Sequence, residues 1–246
     1  MFYTYLKTLI YQLFWAINGN IHINRFEKLL PNEQNYVLVA PHKTFMDPIY
    51  MGYAASPKKF LFMAKKELFK NRAFGWWIRM CGAFPIDREN PGTEAIRMPV
   101  RALKSGKRSL VMFPSGSRHS DDVKGGVAII AKTAKVAIMP IVIDGPMTFK
   151  EMFKGGRINI TFGEVIDISD ITRMDDDGRQ EVANRIDAAF DECHRYNTTL
   201  MDKRVSRLSR CYRWPYLALL LIVLAITYIF SYLASFVWVP ENHRKD

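Results

Sequence analysis

Four short apolar runs recur through the middle of the chain: NYVLVA, RSLVMF, VAIMPIVI and RINITF. Runs of this length, rich in Val and Ile and bounded by polar residues, read as strands, and the segments between them carry helical spacing instead. Helices are expected over Pro48–Ala55, the Lys65–Cys81 region, Thr93–Ser105, Asp121–Lys135 and Asp177–Tyr196. The last has an apolar stripe of Val182, Ile186, Phe190, Cys193 and Tyr196. Asp175, Asp176 and Asp177 stand at its start, where the helix dipole favours negative charge and a solvated cap is expected. Strand and helix in alternation predict an α/β domain. No internal repeat or low-complexity linker marks a second soluble domain.

The two ends of the chain read differently. Trp214 to Val239 carries no formal charge and is rich in Leu, Ile, Ala and aromatics, long enough to span a bilayer with some tilt. At the N-terminus, Phe2, Tyr3, Leu6, Leu9, Ile10, Leu13, Phe14 and Ile17 share one helical face, opposite Thr4, Lys7, Thr8 and Gln12. That pattern suits a helix lying in a membrane interface, and equally an amphipathic helix packed on protein. A cleaved signal peptide fits less well, because Gln12 breaks the apolar stretch and no small-residue cleavage site follows. The expected organisation is an N-terminal interfacial helix (1–20), a soluble domain (21–200), a basic juxtamembrane segment (201–213), a transmembrane helix (214–239) and a tail (240–246).

Charge sharpens this picture. The 35 Lys and Arg against 24 Asp and Glu leave a net charge of +11, which favours anionic partners without choosing among phosphates, nucleic acid and acidic lipid. Lys203, Arg204, Arg207, Arg210 and Arg213 precede the apolar run, while only Arg244 and Lys245 follow it as permanent cations. The positive-inside bias therefore puts the residues before Trp214 in the cytoplasm. Cys81, Cys193 and Cys211 are an odd set with no C-x-x-C pair, so neither a disulfide framework nor a zinc ribbon is expected, and no metal site has ligand spacing.

The candidate chemistry begins at PHKTFMDP, where His42 and Asp47 follow the run NYVLVA. On one continuous helix, five positions rotate the chain by roughly 500° and leave the two side chains about 140° apart. A turn, with Asp47 near the N-cap and Pro48 at the first helical position, would instead fold the carboxylate back onto the imidazole. An Asp that accepts from one ring nitrogen fixes the tautomer and frees the other nitrogen to take a proton. In isolation the pair also fits a strand-end histidine beside a helix-capping aspartate.

Three further blocks follow: CGAFPIDR (Cys81–Arg88), VMFPSGSRHS (Val111–Ser120) and AIMPIVIDG (Ala137–Gly145). The four blocks, in this order and spacing, resemble the lysophosphatidate acyltransferase family of glycerolipid synthesis. His42 and Asp47 match its first motif; Gly82, Phe84, Ile86 and Arg88 its second; Phe113, Pro114, Gly116 and Arg118 its third; Met139 and Pro140 open the fourth. MAKKELF resembles the stretch between the first two motifs and makes Lys65 a candidate contact. The third motif departs from the usual F-P-E-G-T-R-S: Ser115 stands where Glu is usual, and Ser117 where Thr is usual. No G-x-S-x-G nucleophile elbow is present.

The resemblance implies a mixed sheet flanked by helices, and transfer of a fatty acyl group from acyl-ACP or acyl-CoA to the free hydroxyl of a lysophosphatidate. His42 would be the general base and Asp47 its orienting partner. Arg88 and Arg118 would bind the acceptor phosphate through planar forks of donors, with Gly116 letting backbone N–H groups approach and Ser117 adding a hydroxyl. The implied partners are an acyl donor, the lysolipid acceptor and membrane lipids at the cytoplasmic face, with no cofactor, no metal and no nucleic acid. The rival readings are the same chemistry on glycerol-3-phosphate or another lysophospholipid, and a non-catalytic membrane-tethered protein that binds acidic lipid.

Overall fold

The structure is a computed structural model and describes residues 2–87, 92–115, 125–146, 148–200, 206 and 211–239. Among these residues seven strands form one sheet: β1 (Ile21–Asn24), β2 (Val37–Val39), β3 (Phe60–Lys65), β4 (Ala83–Ile86), β5 (Ser109–Met112), β6 (Ile138–Asp144) and β7 (Ile158–Phe162). The spatial order is β1-β7-β6-β2-β5-β3-β4. All neighbouring pairs are parallel except β6 with β7. The domain is therefore α/β with a mixed sheet.

Parallel strands covered on both faces have no solvent side, which is why β2, β5 and β6 read as nearly unbroken apolar runs. Their side chains still alternate between two cores. Val37, Val39, Leu110, Ile138 and Val142 pack on one face with residues from α4 (Glu94–Lys104), α5 (Gly126–Ala134) and α7 (Asp176–Thr198). Leu38, Val111, Met139, Ile141 and Ile143 pack on the other with residues from α1 (Phe2–Ile17) and α2 (Asp47–Ala54).

The spacing-based expectations for β2, β5, β6, β7, α4, α5 and α7 recur with shifted ends, residues 121–124 of the expected α5 lying outside the described ones. The Asp175 side chain caps α7 by accepting from the Gly178 N–H at 3.0 Å. The Lys65–Cys81 region is corrected. Lys65 ends β3, Lys66–Phe69 is a 3-10 turn, and α3 starts only at Arg72, running to Met80. Asn71 sets that start, its side-chain oxygen accepting from the Phe74 N–H at 2.9 Å. Strands β1, β3 and β4 are additions. IHIN and AFPI are too short for a periodic signal, and FLFMAK runs into the charged stretch that follows it.

The two terminal helices pack together. The apolar face of α1 that suited a lipid interface is covered by protein: Phe14 joins the core over α2, while Leu9, Leu13 and Ala16 pack with Leu220. Leu220 belongs to α8 (Trp214–Val237), which is long and apolar enough to cross a membrane and mostly unburied. One side of α8 lies along α1 and α3. Tyr5 Oη and Thr227 Oγ1 are 2.7 Å apart, Arg72 donates to the Ser235 carbonyl at 3.0 Å, and the Trp76 indole donates to the Trp238 carbonyl at 2.9 Å. The other side presents Leu219, Ile222, Ile226, Ile229 and Leu233 outward.

Candidate active site

Strand β2 is central, and the chain leaves its C-terminal end through Ala40 and Pro41 to His42. In open parallel sheets that edge is where ligands bind, because loops there are free to converge. The turn after β2 is organised by one carboxylate. Asp47 Oδ2 accepts from His42 Nδ1 at 3.0 Å and from the backbone N–H groups of Lys43 and Thr44, each at 2.7 Å. Asp47 Oδ1 accepts from Thr44 Oγ1 at 2.7 Å. Both side chains are largely buried, 10% exposed for His42 and 4% for Asp47.

The expected helix start is corrected by this geometry. Met46 is the N-cap and Asp47 the first helical residue, with Pro48 second. The Asp47 side chain turns back over the loop, where two backbone donors and a hydroxyl hold it, rather than capping its own helix. An ionised carboxylate only accepts, so Nδ1 of His42 carries the hydrogen and Nε2 is left with its lone pair.

Phe113 walls the imidazole. It follows β5, whose Met112 is in register with Val39 of β2, and its ring stacks on His42 with centroids 3.9 Å apart and planes 17° from parallel. First and third motifs thus meet through adjacent strand ends. Phe113, Pro114 and Ser115 are described, and Ser115 is buried. Gly116, Ser117 and Arg118 lie outside the described residues, as does Arg88 of the second motif.

Among the described residues, Lys65 stands along the same edge, and Gly82 lies at the opposite end of β4. Lys65, exposed, ends β3 in register with Ile86 of β4. Two strand spacings separate β3 from β2, which puts Lys65 about 10 Å from the His42 strand along the sheet. Gly82 is demanded by the turn into β4. Its φ is +87°, and a Cβ there would lie 2.4 Å from the Phe60 carbonyl oxygen.

A second polar cluster escaped the sequence reading. Asp144, at the end of β6, accepts from His194 Nδ1 and Asn197 Nδ2 at 2.7 Å each, and from Lys43 Nζ at 3.1 Å. Burial alone would raise its pKa, but the bonds from His194 and Asn197 and the Lys43 ammonium outweigh that and hold it at about 2. Lys43 adjoins His42, so the cluster ties the loop to β6 and α7. The only hint was the acidic end of AIMPIVIDG; His194 is fifty positions away on a helix read for its apolar stripe. Among the described residues no three His, Cys, Asp or Glu side chains gather as a metal site requires.

The structure is thus a mixed, mostly parallel α/β sheet with a carboxylate-oriented histidine at the C-terminal edge of its central strand. Comparison with known proteins takes this further. Residues 22–144 match the family model described as Acyltransferase. A 1-acyl-sn-glycerol-3-phosphate acyltransferase of Streptococcus pneumoniae is 53% identical over 250 residues, covering 100% of this chain and 94% of that protein. One of Bacillus subtilis is 35% identical over 161 residues, covering 65% of this chain and 80% of that one. The crystal structure of the 1-acyl-sn-glycerophosphate acyltransferase PlsC from Thermotoga maritima superposes with a TM-score of 0.56 at 23% identity, covering 77% of this chain and 79% of that one, a likeness of fold. The chain belongs to the acyltransferase family.

Proposed function

We propose that this protein transfers a fatty acyl group from a thioester donor to the free hydroxyl of 1-acylglycerol-3-phosphate, with His42 as general base. Close similarity to curated enzymes of that activity supports the overall reaction. The observation that carries the mechanism is the Asp47–His42 contact, which leaves Nε2 as acceptor at the sheet edge.

The reaction follows from what these groups can do. An alcohol is too weak an acid to ionise unaided at neutral pH, so a base within hydrogen-bond reach is required. His42 Nε2 takes the hydroxyl proton as the oxygen forms its bond to the thioester carbonyl carbon. Asp47 steadies the imidazolium that results. The tetrahedral intermediate then expels the thiolate as the C–S bond breaks, and the imidazolium returns its proton to sulfur. No covalent acyl-enzyme is needed. Phe113 holds the ring in plane for both transfers.

Arg88 and Arg118 are the proposed phosphate ligands, with Gly116 and Ser117 supplying backbone and hydroxyl donors and Lys65 a further cation on the same edge. The lysolipid acceptor resides in a leaflet while acyl-ACP and acyl-CoA are soluble, so the site must work at their boundary. The apolar helix α8 is the proposed membrane attachment, with the basic run before it placing the domain, 21–200, on the cytoplasmic face.

Purified protein assayed with lysophosphatidate, glycerol-3-phosphate and other lysophospholipids, each with both donors, tests the reading. His42→Ala should lower transfer to lysophosphatidate by about 10²–10⁴-fold while binding to lipid vesicles persists. Near-normal turnover in the variant overturns the assignment of the base.

A further inference from the structure

Among the described residues, the hydrogen bonds of positions 42–46 close within the loop or onto the first turn of α2. Lys43 and Thr44 give their N–H groups to Asp47 Oδ2, and Met46 gives its own to Thr44 Oγ1. The exception is the Lys43 side chain, whose Nζ donates to Asp144 Oδ1 at 3.1 Å. Two ring contacts add packing that does not fix the Lys43 peptide: His42 on Phe113, and Phe45 with Phe149 of α6 (Phe149–Phe153), centroids 5.7 Å apart. Strand register explains the choice of partner. β2 and β6 are parallel with Val39 opposite Pro140, so Asp144, four residues beyond Pro140, reaches the level of Lys43, four beyond Val39.

An exposed ion pair usually holds little, because water and side-chain entropy cancel most of its attraction. Asp144 differs in being fixed from behind. Its Oδ2 accepts from His194 Nδ1 and Asn197 Nδ2, each at 2.7 Å. The Asn197 amide is itself held in one orientation. Its oxygen accepts from the buried Thr161 hydroxyl, which in turn accepts from Asn24 Nδ2 at 3.2 Å. The turn of α7 that bears His194 and Asn197 is clamped on its other flank. Arg25 Nη1 donates to both Glu192 carboxylate oxygens at 2.7 Å, and its guanidinium lies 3.9 Å from the centre of the Tyr196 ring. With the acceptor already immobile, pairing costs the rotamer freedom of Lys43 alone.

We propose that Lys43 is a positioning residue for the base: its ammonium, anchored on Asp144, fixes the peptide whose N–H meets Asp47, and through that carboxylate the imidazole of His42. The inference rests on the general-base reading of His42 given above. One residue makes both contacts, so a swing of the Lys43 side chain turns a donor away from Asp47 Oδ2. The oxygen that loses this donor is the one that also accepts from His42 Nδ1. A displacement of about 1 Å there moves Nε2 off the line to the acceptor hydroxyl, enough to slow proton transfer about tenfold. The same pairing assigns the ammonium to Asp144 rather than to the acceptor phosphate, although it stands next to the base.

The test uses the full chain in detergent, with lysophosphatidate and whichever thioester donor the wild type uses. Lys43→Met keeps an unbranched stem and removes the charge, while Lys43→Arg keeps a cation able to reach Asp144. In Asp144→Asn the amide oxygen is claimed by His194 and Asn197, which turns the NH₂ toward Lys43 and breaks the tie. Lys43→Met and Asp144→Asn should each lower kcat about tenfold with KM for lysophosphatidate within about twofold, and the double variant should be no slower than the slower single one. Lys43→Arg should recover to within about threefold of wild type. A KM raised about tenfold at unchanged kcat would make Lys43 a phosphate ligand and overturn the proposal. So would losses that multiply to about a hundredfold in the double variant, or wild-type kcat in Lys43→Met. Should Asp144→Asn fail to fold, the exposed Lys43 still decides through Met against Arg. Nitrogen NMR of protein carrying isotope-labelled histidine reads the base without turnover, the His42 signals being assigned by their loss in His42→Ala. Wild type should carry its hydrogen on Nδ1, and Lys43→Met should show both tautomers; an unchanged Nδ1 signal overturns the proposal. A wild type without acyl transfer to any acceptor would instead sink the proposed function, with the tautomer still reporting on the tie.

Discussion

Replacing Asp47 by Asn separates charge from shape at the site. The carboxylate accepts four hydrogen bonds, three at Oδ2 and one at Oδ1. An Asn amide can place its oxygen at the Oδ2 position and keep those three. Its NH₂ then faces Thr44 Oγ1, a hydroxyl able to accept, so folding should lose only about 1 kcal/mol. The imidazolium of the transition state fares worse. With Nδ1 3.0 Å from the carboxylate oxygen, its attraction to a full charge at an effective dielectric near 20 is about 5.5 kcal/mol. The amide dipole retains part of this, leaving a loss of about 3–4 kcal/mol and a fall in turnover on the order of 10²–10³-fold. Initial rates of thiol release, with whichever donor the wild type uses, read the effect, and thermal unfolding in the same detergent checks the fold. Turnover within about threefold of wild type at an unchanged melting temperature would refute the claim that Asp47 acts through charge on His42.

Other perturbations probe different parts of the sheet. Phe113→Ala removes the ring stacked on His42 and should cut kcat about tenfold, with little change in KM, because the imidazole loses its orientation; an equal effect on both constants would point to substrate contact instead. Gly82→Ala forces a positive φ on a β-carbon that meets the Phe60 carbonyl, and a cost of about 2 kcal/mol should lower the melting temperature by roughly 5 °C. Asp144, held at about 2 against an ordinary 3.8, has a depressed folded-state pKa, so its contribution is complete above pH ~4 and is lost as pH falls through about 2. Unfolding measured across that window should show about 2 kcal/mol of acid-labile stability in the wild type that Asp144→Asn lacks; identical slopes would contradict the cluster.

Where a stretch of sequence reports its own surroundings, it was legible. VLV, SLVM and IMPIVID are apolar but for Ser109 and Asp144 at their ends because each strand lies between two packed layers, and α7 shows its stripe because one face meets the core. The contact of His42 with Asp47 was legible for a different reason: both residues belong to the short turn that leaves β2, so their meeting depends on local geometry. β3 and β4 were not legible as strands. The six residues of β3 run straight into the charged stretch from Lys65 to Glu67, and the four of β4 are too few for a periodic signal. Asp47 misled on a finer scale, since its composition suits a helix cap, while the donors that claim it belong to the preceding loop.

The chain alone determined the α/β character, the positive charge, the apolar C-terminal helix and the pairing of a histidine with a nearby carboxylate. These depend on residue type and on neighbours within a turn or two. Tertiary structure decided that Phe113 lies against His42, that His194 and Asn197 join Lys43 on Asp144, and that α1 is covered by α2 and α8. Each of those contacts joins segments far apart in sequence. Strand order and register bring them together, and no local pattern of side chains encodes which strand ends will be neighbours.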